Sequence, residues 1–142
     1  PSGAVVTYSV SATDPDDAVA SLACVPASGS TFPIGTTTVT CTATDTHGNT
    51  SSASFTVDVK GAAEQLAALA AAVTGVGPGT SLADKVSQAQ AYLAANDVAD
   101  ACSTLTAFLN EAEAQSGRQI PIAQATALIS DANRIRAVLN CY

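Results

Sequence analysis

The stretch GSTFPIGTTTVTCTATDTHGN, residues 29–49, contains the only histidine of a 142-residue chain. It places His47 beside Asp45 among many hydroxyls, so it reads either as part of an active site or as a strand and its turn. A Ser-His-Asp triad would need the Asp45 carboxylate to orient the imidazole while a serine approaches the far ring nitrogen. A carboxylate only two residues away rarely has that geometry. The periodicity points elsewhere. Val39, Cys41 and Ala43 interleave with Thr38, Thr40, Thr42 and Thr44, the period of two expected of a strand with one buried face. Asp45 is then placed to accept backbone N–H bonds in an Asx-type turn, with Gly48 at positive φ and His47 in solvent. The stretch is read as a strand and turn, and no catalytic residue is expected.

The same grammar extends on both sides. Val6, Tyr8 and Val10 alternate with Thr7, Ser9 and Ser11, and Phe55, Val57 and Val59 alternate with Thr56 and Asp58. Turn residues separate these runs at Asp14-Pro15-Asp16-Asp17, at 26–29, at 33–35 and at 45–49. Short antiparallel strands at this spacing predict a β-sandwich over residues 1–60. At Lys60-Gly61 the composition shifts to Ala, Leu and Gln, and the spacing becomes helical. Leu66, Leu69 and Val73 form one stripe, and Leu82, Val86, Ala89 and Leu93 a second. Val98, Cys102, Leu105, Leu109 and Ala112 form a third; Ile122, Ala125, Leu128, Ala132, Ile135 and Leu139 form the fourth. Ser81 with Asp84 suggests a capping box, and Asn96 or Asp97 a cap for the third helix. Gly117 suits its end, and Pro121 suits the first turn of the fourth. Residues 61–142 are therefore expected to form a small antiparallel bundle of four helices.

Twelve acidic and five basic residues leave a net charge of −7. Binding to nucleic acid requires clustered cations, so nucleic acid is excluded as a partner. Anionic membrane surfaces are disfavoured on the same ground, and no apolar run is long enough for membrane insertion. The chain starts at Pro1 rather than Met, as expected of a processed or excised piece of a longer polypeptide. The four cysteines allow three pairings. None lies in a CxxC spacing, and one histidine cannot complete a Cys/His zinc site. Disulfides follow, and with them an oxidising, extracellular location. Cys24 shares parity with Leu22, and Cys41 with Val39, so both should face the sandwich interior. Cys102 opens the third helix and Cys141 closes the fourth, ends that an antiparallel hairpin brings together. The expected pairs are Cys24–Cys41 and Cys102–Cys141, each contributing about 3–4 kcal/mol in the chain-entropy account.

Other candidate chemistry is weaker. Asp14, Asp16 and Asp17 are the candidate metal ligands, because three carboxylates in one loop begin a calcium site. Calcium takes six to eight oxygens, however, and no glutamate follows at ligand spacing. An acidic, solvated turn is the preferred reading, and no cofactor is expected. Glu111 and Glu113 point about 200° apart on a helix, so they cannot face one cleft as a glycosidase pair and are both expected in solvent. Arg134 is expected to pair with Asp131. Tyr92 and Phe108 are assigned to the core, and Tyr142 to the surface.

Residues Cys24-Val25-Pro26, the run GSTFPIG at 29–35, Thr38-Val39-Thr40-Cys41, Ala43-Thr44-Asp45, Gly48-Asn49 and Ser54-Phe55-Thr56-Val57 together resemble the hyalin repeat (HYR) family. Its members are immunoglobulin-like modules of extracellular proteins. Many of them carry a further cysteine where this chain has Ala53, and normally an earlier strand before GAVVTYSV; that first strand is expected to be missing here. The remainder, through Leu105, Phe108, AQSGRQI at 114–120 and AQATALISDANRI at 123–135, resembles FIMAH, a helical C-terminal module of secreted bacterial proteins, some of them hydrolases. Neither resemblance brings a catalytic residue. The first implies adhesion or spacing, and the second a non-enzymatic appendage. A sandwich short of a strand exposes unpaired backbone along an edge, where a partner protein or a second copy could add one. The functional expectation is a secreted adhesion, spacer or assembly module. The alternatives are the C-terminal accessory region of a secreted hydrolase and a carbohydrate-binding module.

Overall fold

The computed structural model describes residues 3–16 and 18–142. Among these residues five strands are followed by four helices, and the chain divides into two compact units between Lys60 and Gly61.

The first unit consists of two antiparallel sheets. β1 (Gly3–Val5) pairs with β3 (Thr31–Pro33), while β2 (Val19–Val25), β4 (Gly35–Asp45) and β5 (Thr50–Val59) form a three-stranded sheet in the order β2-β4-β5. The Thr-rich alternation sets the β4–β5 hairpin, which stays in register from Gly35↔Val59 to Thr44↔Thr50. Threonines 36, 38 and 40 point outward, and the intervening residues point inward. Phe32, Val39 and Cys41 are buried, with Val6, Tyr8, Cys24, Phe55, Val57 and Val59 packed around them. The Tyr8 ring stands edge-on to Phe55 at 5.1 Å and to Phe32 at 6.5 Å, a geometry that matches positive ring edges to negative faces.

The first strand lies earlier than the alternation of Val6, Tyr8 and Val10 predicts. At Gly3 strands β1 and β3 approach so closely that a Cβ would sit 2.1 Å from the Phe32 carbonyl oxygen, so only glycine fits. Pairing then continues beyond β1 by other means. Val6 N–H donates to Ser30 O at 3.2 Å and Gly29 N–H to Val6 O at 2.9 Å. At Tyr8 the Ser28 hydroxyl takes over, accepting from Tyr8 N–H and donating to Tyr8 O, each at 2.9 Å. A side chain thus replaces a ladder partner, and Tyr8 keeps its inward direction without belonging to a strand. The expected inward set is incomplete. Leu22 is 37% exposed and Val10 42%, because two strands of three residues cover only one end of the larger sheet.

The second unit comprises α1 (Ala62–Ala72), α2 (Ser81–Ala94), α3 (Val98–Gln115) and α4 (Ile122–Leu139). Each helix packs on its chain neighbours, and α1 closes against α4. The apolar stripes meet in one core: Leu66, Leu69, Val73, Leu82, Val86, Leu105, Phe108, Leu128 and Ile135 are all buried. Ile122 departs from its stripe and is 67% exposed, being the first residue of α4. Ile120, outside every stripe, is fully buried. Gly117, at φ +70°, turns the chain after α3 and donates its N–H to Ile120 O at 2.8 Å, which folds Ile120 inward. Two of the expected caps shift. Thr80, not Ser81, precedes α2, and its hydroxyl donates to Asp84 at 2.8 Å. Pro121 stands just before α4 rather than within it. Asp97 caps α3, accepting from Asp100 N–H at 3.1 Å.

Because so few side chains are buried in the β unit, Phe32 contributes a large share of its core. Phe32→Ala should cost about 3–5 kcal/mol. In native-state hydrogen exchange this should appear as roughly two to four orders of magnitude less protection for β4 and β5 amides, with helix amides unchanged.

Candidate functional site

The turn after β4 is occupied by its own backbone. Asp45 Oδ1 accepts from His47 N–H and Asn49 N–H, each at 2.8 Å, and Oδ2 accepts from Asn49 Nδ2 at 2.6 Å. Gly48, at φ +88°, completes the turn, and His47 is exposed. The Asp45 carboxylate therefore serves the turn, as an Asx motif does. In the acidic loop Asp14 Oδ1 accepts from Asp16 N–H at 3.0 Å; Asp17 lies outside the described residues. Among the described residues no group of three His, Cys, Asp or Glu side chains converges to hold a metal.

All four cysteines are bridged. Cys24 and Cys41 face each other directly across β2 and β4, with Cα atoms 4.0 Å apart. This bridge ties two neighbouring strands of one sheet. Cys102, on the first turns of α3, joins Cys141 just past α4 at a Cα separation of 5.5 Å. Asn140, in the left-handed region at φ +57°, reverses the chain so that Cys141 can reach it.

One polar constellation contradicts the sequence reading. Glu111 is not in solvent: its side chain is 19% exposed and meets Lys85 Nζ at 2.6 Å. Ser81 Oγ donates to the same carboxylate oxygen at 2.8 Å and accepts from Lys85 Nζ at 3.0 Å. Glu113 is exposed as expected. The spacing of Ser81 and Lys85, one turn apart, is visible in the sequence, but their third partner lies thirty residues from Ser81 and carries no local signal. Beside the trio a polar cleft of about 600 Å³ opens between α2 and α3. The serine proton is held by a carboxylate and the lysine charge by the same carboxylate. The group therefore ties α2 to α3 and is not arranged as a nucleophile with its base. On the surface, Arg134 pairs with Asp131 across one turn, as the spacing predicts.

The uncovered end of the larger sheet forms a groove of about 260 Å³, lined by Val10, Leu22, Ala43, Ala53 and Phe55 among others. β2 and β5 are the outer strands of that sheet.

Two small antiparallel sheets closed on an aromatic core, with one cystine across neighbouring strands, define the first unit as an immunoglobulin-like β-sandwich. The family model of the HYR domain matches residues 2–59, which spans this unit to the last residue of β5. No curated protein and no solved structure matches the chain.

The hydrogen bond from Lys85 holds the Glu111 carboxyl below its ordinary value of 4.5, against the opposing pull of burial and with help from Ser81 and the lysine charge. A depressed folded-state pKa stabilises the fold above the unfolded value, and that contribution is lost as pH falls through the folded one. The urea midpoint of the helical unit should therefore drop on acidification below about 4.5. Glu111→Gln should begin with a lower midpoint at neutral pH and lose less of it. Parallel acid curves for the two chains would refute the assignment.

Proposed function

We propose that this chain is an extracellular, non-enzymatic adhesion or spacer module that assembles by strand addition at the open end of its larger sheet. The observation that carries the reading is the HYR match over residues 2–59, on a unit whose only histidine and neighbouring aspartate are spent on a turn. Two cystines and no free thiol support an oxidising compartment. Among the described residues no helix is long and apolar enough to cross a membrane. On this reading residues 1–60 are the HYR-like sandwich, and residues 61–142 a FIMAH-like helical appendage.

Strand addition is supported by the sheet itself. β5 offers ten residues of outer edge, and its inward positions at Ala53 and Phe55 border the groove with exposed Leu22 and Val10. An incoming strand would gain main-chain hydrogen bonds along the edge and cover those apolar side chains. The partner is a second copy or another extracellular protein.

Sedimentation velocity over a concentration series should show reversible association. Ala53→Lys, which places a charge on the inward face of the edge strand, should abolish it without lowering the melting temperature, because such charges are how natural sheets block edge pairing. A monomer at every concentration would remove self-assembly and leave the spacer role.

A further inference from the structure

A cleft of about 430 Å³ lies where the first turns of α3 meet the end of α4, floored by the Cys102–Cys141 bridge. Its volume is within the range of small-ligand sites, ~300–1,000 Å³. Arg136 forms part of the wall, and its Nε is buried with no hydrogen-bond acceptor. The ion pairs of the helical unit, Lys85–Glu111 and Arg134–Asp131, leave it out. A cation in the last turn of a helix favours the helix dipole. That accounts for a positive charge at this position, but not for a guanidinium N–H withdrawn from water without an acceptor, which is costly.

The rest of the wall narrows the ligand class. Ser103 and Thr106 already donate their hydroxyl protons to helix carbonyls, to Ala99 O at 3.1 Å and Cys102 O at 2.9 Å. What they offer a ligand is therefore acceptor lone pairs. Asn140 Oδ1 accepts from the Tyr142 hydroxyl at 3.4 Å, leaving its amide as a donor. The Tyr142 ring is fully exposed at the rim. A sulfate brings acceptors only and would meet Ser103 and Thr106 unfavourably. The complementary ligand carries a carboxylate for the guanidinium fork, hydroxyl donors for the serine and threonine, and an apolar face for the tyrosine ring. A sugar acid has all three on one ring. Ser103 also borders the polar cleft of about 600 Å³ between α2 and α3, so a second residue of a chain has somewhere to lie.

We infer that the helical unit binds acidic polysaccharide, seating a uronate carboxylate on Arg136. The inference uses only the helical unit, so it stands or falls separately from strand addition by the sandwich.

The test is calorimetric titration of the whole, oxidised chain with uronate tetramers of the alginate, pectic and hyaluronan types. Neutral galactotetraose, free galacturonate and tetraglutamate are the controls. At least one uronate tetramer should bind, more tightly than free galacturonate, while galactotetraose and tetraglutamate should not. Arg136→Gln should weaken binding about tenfold or more, and Arg136→Lys should recover only part of the loss, since lysine cannot present a planar fork. Thr106→Val, on the α3 side of the cleft, should weaken it about threefold and serves as the reporter if Arg136→Gln fails to fold. Failure of every uronate tetramer, equal binding of tetraglutamate or of galactotetraose, or binding that survives Arg136→Gln or Thr106→Val unchanged would overturn the inference.

Discussion

The β unit depends on the covalent link between Cys24 and Cys41. Its buried core is Phe32, Val39 and Cys41, and about sixty residues must be ordered around it. Burying a large apolar side chain contributes roughly 1.5–3 kcal/mol, whereas ordering each residue costs about 1–2 kcal/mol. Domains of this size commonly need a further constraint. The bridge supplies it by closing the loop between β2 and β4, a sequence separation of 17 residues, which shrinks the unfolded ensemble. Around that link Tyr8 packs edge-on to two rings, and its hydroxyl donates to the Pro26 carbonyl. That fastens the first segment to the loop after the bridged strand.

The helical unit solves the same problem differently. Its core is larger and draws on all four helices, so Cys102–Cys141 serves mainly to fix an end. It anchors the chain just beyond α4 to the start of α3, and so shapes the cleft beside Arg136. The Ser81–Lys85–Glu111 group fastens the opposite side of α3 to α2. In the helical unit the covalent and polar fasteners thus sit at the margin of the apolar core.

Patterns that repeat within one element were legible in the sequence. The hydroxyl alternation of residues 38–44 and the leucine stripes of the helices translate directly into faces, because each reports one local period. Parity also placed Cys24 and Cys41, and the antiparallel hairpin of the last two helices placed Cys102 and Cys141. What escaped was non-local. Glu111 was read from its helix alone, and only the fold brings it to Lys85. Leu22 was assigned inward by parity, but parity cannot say how much of a sheet its partner sheet covers. Ile120 is buried by a turn and not by a period. Ser28, standing in for a ladder partner of Tyr8, has no sequence signature beyond being a serine in a loop. The candidate site divides in the same way: the turn chemistry of Asp45 was visible, whereas the cleft at Arg136 requires the two ends of α3 and α4 to be joined.

The central claim is that the sandwich cannot stand without its bridge, whereas the helical unit stands on its own apolar core. Native-state hydrogen exchange on a chain carrying Cys24→Ala and Cys41→Ala tests it most directly. The account predicts that slow exchange disappears from β2, β4 and β5 while α1 to α4 retain theirs. Persistent protection across the three strands, or simultaneous loss in the helices, would contradict it.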